Sequence, residues 1–363
     1  MNRINVIPSV CTKEDVIKRL KAKPTLYQEY CQWPEAFRNE FMDFMMGVRG
    51  VKMTYDPFFK HIFNPEIHPE RLSELLSLIV GKPLKVKREL NKEHSRITEK
   101  GSLMIMDILV EFENGEIGNV EIQKIGYLFP GERSSCYSSD MIMRQYERVR
   151  AEKGKNFSYG DLKTVYTIVF MEDSSKEFKL YPNDYVHKGE VTFDTGLKME
   201  LLQKYLYIPL DIFRSLMDNI NIEKDLSKLE AWIYFIGSDR PEDIAKVIHA
   251  YPEFSKMYQE VYLFRQDPEE AVTMFSEALR IMDENTVKLM IEMQKEELKE
   301  KDEAIRELDA EIQAKDDLIK AKNEDLQAKD DLIKAKNEEI QARDEELKKK
   351  NEEIEKYRKL LNL

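Results

Sequence analysis

The sequence lacks the features that mark several large classes of protein. It has three cysteines in 363 residues, Cys11, Cys31 and Cys136, and they form neither a CxxC pair nor the Cys/His spacing of a metal site. An odd, scattered set of this kind argues against a disulfide framework and against a zinc site. No apolar run approaches the ~20 residues of a membrane span, and the N-terminal MNRINVIPSVCTKED has no apolar signal segment. These absences predict a cytoplasmic protein in a reducing compartment.

Signatures of common enzyme families are also missing. The five histidines form no HExxH or HNH pattern, and the chain contains no GxGxxG, P-loop or GxSxG sequence. The zinc peptidase, dinucleotide-binding, P-loop and serine hydrolase motifs are therefore excluded. The formal net charge of −12 provides no general attraction for nucleic acid, so any such binding must come from a local basic patch.

Composition and hydrophobic periodicity divide the chain into four parts. Residues 1–50 are expected to form an N-terminal helical segment, 51–190 a strand-rich core, 191–290 a helical subdomain and 291–363 a coiled coil. The apolar residues of the first part recur at near-helical spacing and are expected to pack inward; they are Val16, Leu20, Trp33, Phe37, Phe41, Phe44 and Met45. Prolines mark the expected helix starts of the third part, at Pro209, Pro241 and Pro268.

The last part carries a strict heptad repeat. Aliphatic residues occupy every seventh position, at Ile291, Leu298, Ile305, Ile312, Ile319, Leu326, Ile333, Ile340, Leu347, Ile354 and Leu361. This period predicts a left-handed coiled coil that joins copies of the chain into a homo-oligomer. The second seam position is mostly Lys, Asp or Asn, so the coil is expected to be weak and tuned for register. A solvated single helix held by i,i+4 ion pairs is the alternative.

The stretch 103–123, LMIMDILVEFENGEIGNVEIQ, contains two apolar strand-like runs around an Asn-Gly turn. Asp107 lies inside the first run, and Glu121 and Gln123 end the second. An ionised carboxylate in so apolar a setting costs several kcal/mol unless it is paired or binds a metal, and two neighbouring carboxylates also repel each other. A divalent cation removes both penalties, and hard oxygen ligands suit Mg²⁺ or Mn²⁺. The hairpin therefore predicts a metal site.

The register of the hairpin decides whether this prediction can hold. A two-residue turn at Asn114-Gly115 would set Asp107 opposite Ile122, on the wrong face of the sheet. A three-residue loop, or a bulge at Gly118, would bring Asp107 onto the face of Glu121. We expect one of these two arrangements. The alternative is an ordinary hairpin whose acidic side chains are merely solvated.

The order of several segments resembles a known family. The segments YDPFFKHIFN, ELLSLIVGKPL, LNKEHSR, MDILVEFENGEIGNVEIQ and YGDLKTVYTIVFM occur in that order between about 54 and 170. Together with Arg133 and Tyr137 ahead of a helix, they resemble the PD-(D/E)xK nuclease family transposases, or recombination-promoting nucleases. The resemblance implies an α/β fold with a restriction-endonuclease-like core, a mixed sheet flanked by helices, followed by the helical subdomain and the long C-terminal coiled coil.

The resemblance also implies roles for individual residues. Asp107 and Glu121 match the metal ligands, and Gln123 stands where the superfamily has its catalytic Lys. Glu93 matches the family's upstream acid, and Glu89 is a nearby competitor for that role. Two further residues are weaker candidates: Glu74 as an additional carboxylate, which could equally be a surface helical residue, and Lys100 as a substitute for the missing Lys.

The activity implied by the resemblance is Mg²⁺- or Mn²⁺-dependent hydrolysis of DNA phosphodiester bonds. Basic residues around the hairpin are candidates for phosphate contacts; they are Lys60, Lys82, Lys85, Lys87, Arg88, Arg133, Arg144, Arg148 and Arg150. Because Gln is neutral, it can supply only the hydrogen-bonding half of the Lys role. The second hypothesis is therefore a weakly active or inactive nuclease fold that serves as a coiled-coil interaction module.

Overall fold

The computed structural model describes residues 12–91, 106–125, 131–219 and 225–360. The chain forms two compact units, Met1–Val287 and Lys288–Leu363. The first unit contains the sheet and the helices that cover it. Within the described residues, none of the helices is both long and apolar enough to cross a membrane.

Among the described residues, five α-helices precede the first strand, two α-helices lie between strands, and five α-helices follow the last strand. The helices are α1 Lys13–Lys21, α2 Pro24–Gln32, α3 Glu35–Met45, α4 Asp56–Ile62, α5 Pro69–Val80, α6 Gly131–Lys153, α7 Lys176–Lys179, α8 Leu210–Asn219, α9 Lys228–Gly237, α10 Pro241–Ala250, α11 Phe254–Leu263 and α12 Pro268–Leu360. The strands are β1 Val86–Glu89, β2 Ile108–Phe112, β3 Ile117–Ile125, β4 Val165–Asp173, β5 His187–Glu190 and β6 Gln203–Pro209.

The six strands form one mixed sheet with the order β1-β2-β3-β4-β6-β5. β1, β2 and β3 are antiparallel neighbours, β3, β4 and β6 run parallel, and β5 returns antiparallel to β6. A long connection that contains α6 joins β3 to the parallel strand β4, as a parallel pair requires. The predicted mixed sheet with flanking helices is confirmed.

The two faces of the sheet are covered by different helices. Ile108, Val110 and Ile168 belong to the main hydrophobic core, which also takes buried residues from α1 to α5 and α8 to α11. Leu109 and Val169 point the other way and pack in a smaller cluster with residues of α6. Both faces of β4 are therefore dry, which explains why its sequence VYTIVFM is an unbroken apolar run.

The N-terminal helices belong to the main hydrophobic core of the first unit. The buried residues predicted for residues 1–50 are all buried, and they join the same cluster as the sheet. Phe275 lies near the start of α12. Its ring packs edge-to-face against the rings of Phe37, Phe41 and Phe58. Helices do begin at or directly after the three predicted prolines.

The sheet extends beyond the boundary expected at residue 190. β6, at 203–209, lies inside the sheet between β4 and β5. Its sequence QKYLYIP is short and alternates partly exposed with buried side chains, so it gives no long apolar run of the kind that identified β4. The helical character predicted for 191–290 therefore begins only at α8.

The second unit consists of the C-terminal part of α12. Its heptad aliphatics are about half exposed on the single chain, for example Ile319 at 55 % and Ile333 at 57 %. Ion pairs four residues apart line the helix, including Lys315 with Glu311 at 2.6 Å. The helix is thus formed as expected, while its pairing into a coiled coil stays a prediction.

Candidate functional site

The β2–β3 hairpin closes through a three-residue loop, the first of the two arrangements expected from the sequence. Ile108 lies opposite Val120 and Glu111 opposite Ile117, so the same register sets Asp107 opposite Glu121. The Phe112 N–H donates to the Glu116 carbonyl at 2.9 Å, and Gly115 has a φ of 84°. A residue in this left-handed conformation typically ends a three-residue loop, and glycine adopts it without strain.

This register brings the two predicted metal ligands together at the end of the strands. The Asp107 N–H donates to Glu121 Oε1 at 3.1 Å, and the Ile122 N–H donates to Asp107 Oδ2 at 3.0 Å. Asn119 Nδ2 also donates to Glu121 Oε1, at 2.9 Å. Each carboxylate is therefore fixed by the backbone of the strand that carries the other. The two side chains lie on the same face of the sheet, as a shared ion requires.

Burial makes this carboxylate pair costly when it is ionised. Glu121 is 1 % exposed, and burial, followed by the negative charge of Asp107, raises its pKa well above the ordinary value. Burial also raises the pKa of Asp107, and the charge of Asp56 adds to that effect. Nearby positive charges, Arg133 beside Glu121 and Lys60 beside Asp107, offset only part of it. The positive charges of the described residues thus leave part of the repulsion and burial cost unbalanced, and a divalent cation would supply the missing charge.

Helix α4 contributes two further charged residues to the site: Lys60, which the sequence analysis named as a candidate phosphate contact, and Asp56, which it did not name. Lys60 Nζ lies 2.8 Å from Asp56 Oδ2 and 3.4 Å from Asp107 Oδ1. Burial lowers the pKa of Lys60, but the charges of Asp107 and Asp56 raise it by more. Asp56 and Lys60 are four residues apart, so they share one side of α4. Their spacing within DPFFKHI, where the other residues are mostly buried, is the signal that could have identified them.

Helix α6 places two residues, Arg133 and Tyr137, near Glu121. The Arg133 guanidinium lies over the Tyr137 ring at 5.2 Å, and Arg133 Nη2 donates to the Tyr137 hydroxyl at 2.9 Å. Burial and the charge of Glu121 raise the pKa of Tyr137 to about 12. Burial lowers the pKa of Arg133, but its contact with Tyr137 and the negative charges of Glu121 and Asp107 raise that pKa by more. The two residues that the family resemblance singled out therefore flank the acidic pair.

Gln123 and Lys124 lie on opposite faces of β3. Gln123 shares the face of Glu121 and is 7 % exposed. Lys124 Nζ instead lies 4.7 Å from the centre of the Tyr55 ring on the opposite face. Lys124 therefore points away from the site.

The remaining sequence candidates do not join the pair in the described structure. Glu74 does not supply the further carboxylate, because it accepts a hydrogen bond from Trp232 Nε1 at 2.9 Å and faces Lys228 at 3.5 Å. Glu89 pairs with Val110 across β1 and β2, after a register shift that places it on the face opposite to Glu121. Glu93 and Lys100 lie outside the described residues.

A buried carboxylate on β4 fixes the segment that leads into α4. Glu172 accepts hydrogen bonds from Lys52 Nζ at 2.7 Å and from the Thr54 hydroxyl at 2.6 Å. Burial raises its pKa, but the Lys52 charge and these hydrogen bonds more than offset burial, so the net pKa is lowered. Glu172 therefore helps to set the position of Asp56 and Lys60 relative to the sheet.

We expect Glu172→Gln to destabilise the protein by about 1–3 kcal/mol near neutral pH, as for loss of a buried charged hydrogen bond. A lowered folded-state pKa stabilises the fold above the unfolded pKa, and that stabilisation disappears as the pH falls through the folded pKa. The difference in unfolding free energy between wild type and variant should therefore shrink toward zero on acidification below about pH 4. Urea unfolding at several pH values measures this; a difference that does not change with pH would contradict it.

The donor set at the pair fits a small, hard cation. Asp107 and Glu121 offer carboxylate oxygens, and Mg²⁺ is commonly held by one or two carboxylates while it keeps several waters. Within the described residues, no three His, Cys, Asp or Glu side chains form a metal-binding group. A metal here would therefore have two protein carboxylates as its ligands from the described chain.

Most of the predicted phosphate-binding residues are paired with acidic side chains. Glu111 alone faces Lys87, Arg88 and Arg148, at 3.6, 2.6 and 2.6 Å. Lys82 lies 2.8 Å from Glu116. The basic residues around the hairpin thus serve largely to neutralise buried or neighbouring carboxylates, while Lys60 and Arg133 are the predicted cations next to the acidic pair.

One of three comparisons with known proteins identifies a family for this chain. A search of curated proteins and a search of solved structures each gave no match. The family model of the PD-(D/E)XK nuclease family transposases matches residues 53–289, which include α4, the hairpin, α6 and the rest of the sheet. The match spans more than half of the chain and includes Asp107 and Glu121. The chain therefore belongs to the PD-(D/E)XK nuclease family transposases.

Proposed function

We propose that this protein is a metal-dependent DNA endonuclease that hydrolyses phosphodiester bonds. The observation that carries the proposal is the buried, adjacent pair Asp107 and Glu121, which is fixed by backbone hydrogen bonds and short of positive charge. Family membership supports a nuclease or transposase function.

In the proposed reaction, Asp107 and Glu121 would hold Mg²⁺ or Mn²⁺, which when bound would lower the pKa of a water and polarise the phosphate. Hydrolysis joins the oxygen of a water to phosphorus and breaks the bond from phosphorus to the leaving sugar oxygen. The water gives up one proton to solvent, and the leaving sugar oxygen takes one up from solvent. Gln123 can orient the attacking water by a hydrogen bond, but it brings no charge.

The test is the nicking of supercoiled plasmid by the purified protein in Mg²⁺, with Asp107→Ala and EDTA as comparisons. We expect nicking by wild type, and a loss of at least about 100-fold in the variant, since removal of a metal-binding or charge-stabilising group typically costs 10²–10³. Circular dichroism of Asp107→Ala checks that the fold survives. If wild type neither nicks DNA nor binds Mn²⁺, the proposal is wrong.

We further infer a homo-oligomer formed by the C-terminal part of α12. Its aliphatic stripe is exposed on the single chain, and a seven-residue repeat suits pairing with a second copy. Two copies would present two sites, one for each strand of a duplex, which suits a role in transposition or recombination.

Cys31 and Cys136 carry exposed free thiols, which supports a reducing, cytoplasmic setting.

The exposed stripe also favours the second candidate function, a catalytically weak nuclease fold that acts as an interaction module. Gln123 in place of the superfamily's Lys favours the same alternative, because it removes a positive charge from the site. Plasmid nicking separates the two. An oligomer that lacks Mg²⁺-dependent nicking would support the interaction module.

A further inference from the structure

The acidic pair needs a positive charge to bind and cleave a phosphodiester, and Gln123 does not provide one. Phosphoryl transfer develops negative charge on the phosphate oxygens, which cations placed beside them stabilise. Lys124, the next residue, is on the other face of β3, over Tyr55. Within the described parts of the chain, Lys60 is the lysine that forms an ion pair with Asp107 or Glu121.

We propose that Lys60 is a catalytic residue that binds the phosphate being cleaved, and that α4 thereby supplies the charge that Gln123 lacks. This proposal rests on the proposed nuclease function. The juxtaposition that carries it is the bridge from Asp56 through Lys60 to Asp107, which joins α4 to the start of β2.

The two contacts of Lys60 differ in length. The ammonium is 2.8 Å from Asp56 Oδ2 but 3.4 Å from Asp107 Oδ1, so Asp56 is its main partner. A lysine ammonium has three N–H donors. Asp56 and Asp107 account for two of them, which leaves one donor for a phosphate oxygen. If Asp107 is committed to a metal, Lys60 remains anchored by Asp56.

The environment of Lys60 suits a residue that meets a substrate. Its side chain is 35 % exposed, whereas that of Asp56 is 13 % exposed. The helix residues around it, Phe58, Phe59 and Ile62, are fully buried, so α4 is a rigid support for the ammonium. A lysine is a common ligand of phosphate. Asp56 is then a positioning residue, consistent with the absence of a three-carboxylate metal group among the described residues.

The experiment compares Lys60→Met and Lys60→Arg with wild type and with Lys153→Met as a matched control. Lys153, like Lys60, is a partly exposed lysine paired with a carboxylate, Asp161 at 2.5 Å, but it lies at the C-terminal end of α6 and is not a candidate for phosphate binding. We measure kcat and KM for plasmid nicking in Mg²⁺, the Kd for Mn²⁺ by titration, and the Tm of each protein.

We expect Lys60→Met to lower kcat by about 100-fold or more, with KM changed less than about threefold because Arg133 and other contacts to DNA remain. Its Kd for Mn²⁺ should be unchanged or lower, because a competing positive charge next to Asp107 has been removed. Lys60→Arg should recover at least about a tenth of the wild-type kcat, because it keeps the charge. Lys153→Met should stay within about twofold of wild type, as a surface ion pair contributes little.

Three results would overturn the proposal. If wild type nicks DNA and Lys60→Met does so equally fast, Lys60 is not catalytic although the nuclease function stands. If Lys60→Met loses Mn²⁺ binding, Tm and kcat together, Lys60 has only a structural role. If wild type neither nicks DNA nor binds Mn²⁺, the proposed function and the role of Lys60 both fail.

Discussion

Glu121→Gln is expected to abolish nicking while it stabilises the metal-free protein. Gln keeps the shape of Glu and can keep Oε1 as the acceptor of the Asp107 and Asn119 hydrogen bonds. It removes a buried negative charge and places an N–H₂ donor next to the carboxylate of Asp107. In EDTA we expect a gain of roughly 1–3 kcal/mol in unfolding free energy. Nicking should fall by at least about 10²- to 10³-fold.

The pH dependence of this gain follows from the raised pKa of Glu121. An acid whose folded-state pKa lies above its unfolded value stabilises the fold in its protonated form, and that stabilisation is lost as the pH rises through the folded pKa. The advantage of Gln over Glu in metal-free protein should therefore be small at low pH and grow as the pH rises. Chemical unfolding in EDTA across this pH range measures it.

A second buried glutamate provides the matched control. Glu111 shares a sheet face with Glu121 but is surrounded by Arg88, Arg148 and Lys87. Burial raises the pKa of Glu111, but the hydrogen bond from Arg88 and the charge of Arg148 bring the net pKa below its ordinary value. Glu111→Gln should therefore destabilise the protein at neutral pH. If both variants destabilise the metal-free protein, the negative charge of Glu121 does not destabilise the fold. Asp107 and Glu121 would then not need a metal ion to balance their charge.

Mn²⁺ should stabilise the Glu111→Gln variant but not the Glu121→Gln variant, the reverse of their order of stability in EDTA. Ligand binding to the folded state stabilises it by RT ln(1 + [L]/Kd), which is about 2.7 kcal/mol at a hundred times Kd. We expect wild type and Glu111→Gln to gain this stabilisation and Glu121→Gln to lose it. The same site would then account for a stability cost without metal and a stability gain with it.

The parts of the fold that follow from hydrophobic pattern could be predicted from the sequence. The apolar run of β4, the heptads of α12 and the helix starts at proline each have a local signal, and each is where it was expected. β6 was not identified, because its alternation is short and half-exposed. Strand order also has no local signal. It depends on which strands α6 and the later helices allow to meet.

The candidate site shows the same division between local and tertiary information. The register of Asp107 against Glu121 could be narrowed to two arrangements, because side chains alternate along a strand. The position of Asp56 and Lys60 beside Asp107 could not be predicted, because α4 reaches the end of the sheet only through tertiary packing. Their spacing within DPFFKHI is the one local signal. Glu74 was a poor candidate for the same reason: its helix α5 packs against α9, where Trp232 and Lys228 engage the carboxylate.

The second large effect is expected on the oligomeric state, which we assign to the C-terminal part of α12. We expect the full-length chain to sediment as a dimer and the double variant Ile319→Asp/Ile333→Asp to sediment as a monomer. Both isoleucines are heptad positions that are half exposed on the single chain. In a coiled coil they would be buried between helices, where an aspartate in each chain costs several kcal/mol. Sedimentation velocity at a matched protein concentration measures the change.

The control variant uses the opposite face of the same helix. Ala321 and Ala335 follow the two isoleucines by two positions, which is about 200° around a helix. Ala321→Asp/Ala335→Asp therefore adds the same charge and a similar helix penalty without touching the seam. It should remain a dimer. If both double variants match a monomeric wild type, the C-terminal part of α12 is the solvated single helix that its i,i+4 ion pairs also permit.

Plasmid products then show what the dimer does for cleavage. If paired chains place one site on each strand, wild type should convert supercoiled plasmid to linear DNA with little nicked intermediate, because the second cut occurs before the complex dissociates. The monomeric Ile319→Asp/Ile333→Asp variant should accumulate nicked circles, since its two cuts are independent events. Equal product patterns for the two proteins would mean that the coil contributes to assembly or partner choice and not to the paired cutting of strands.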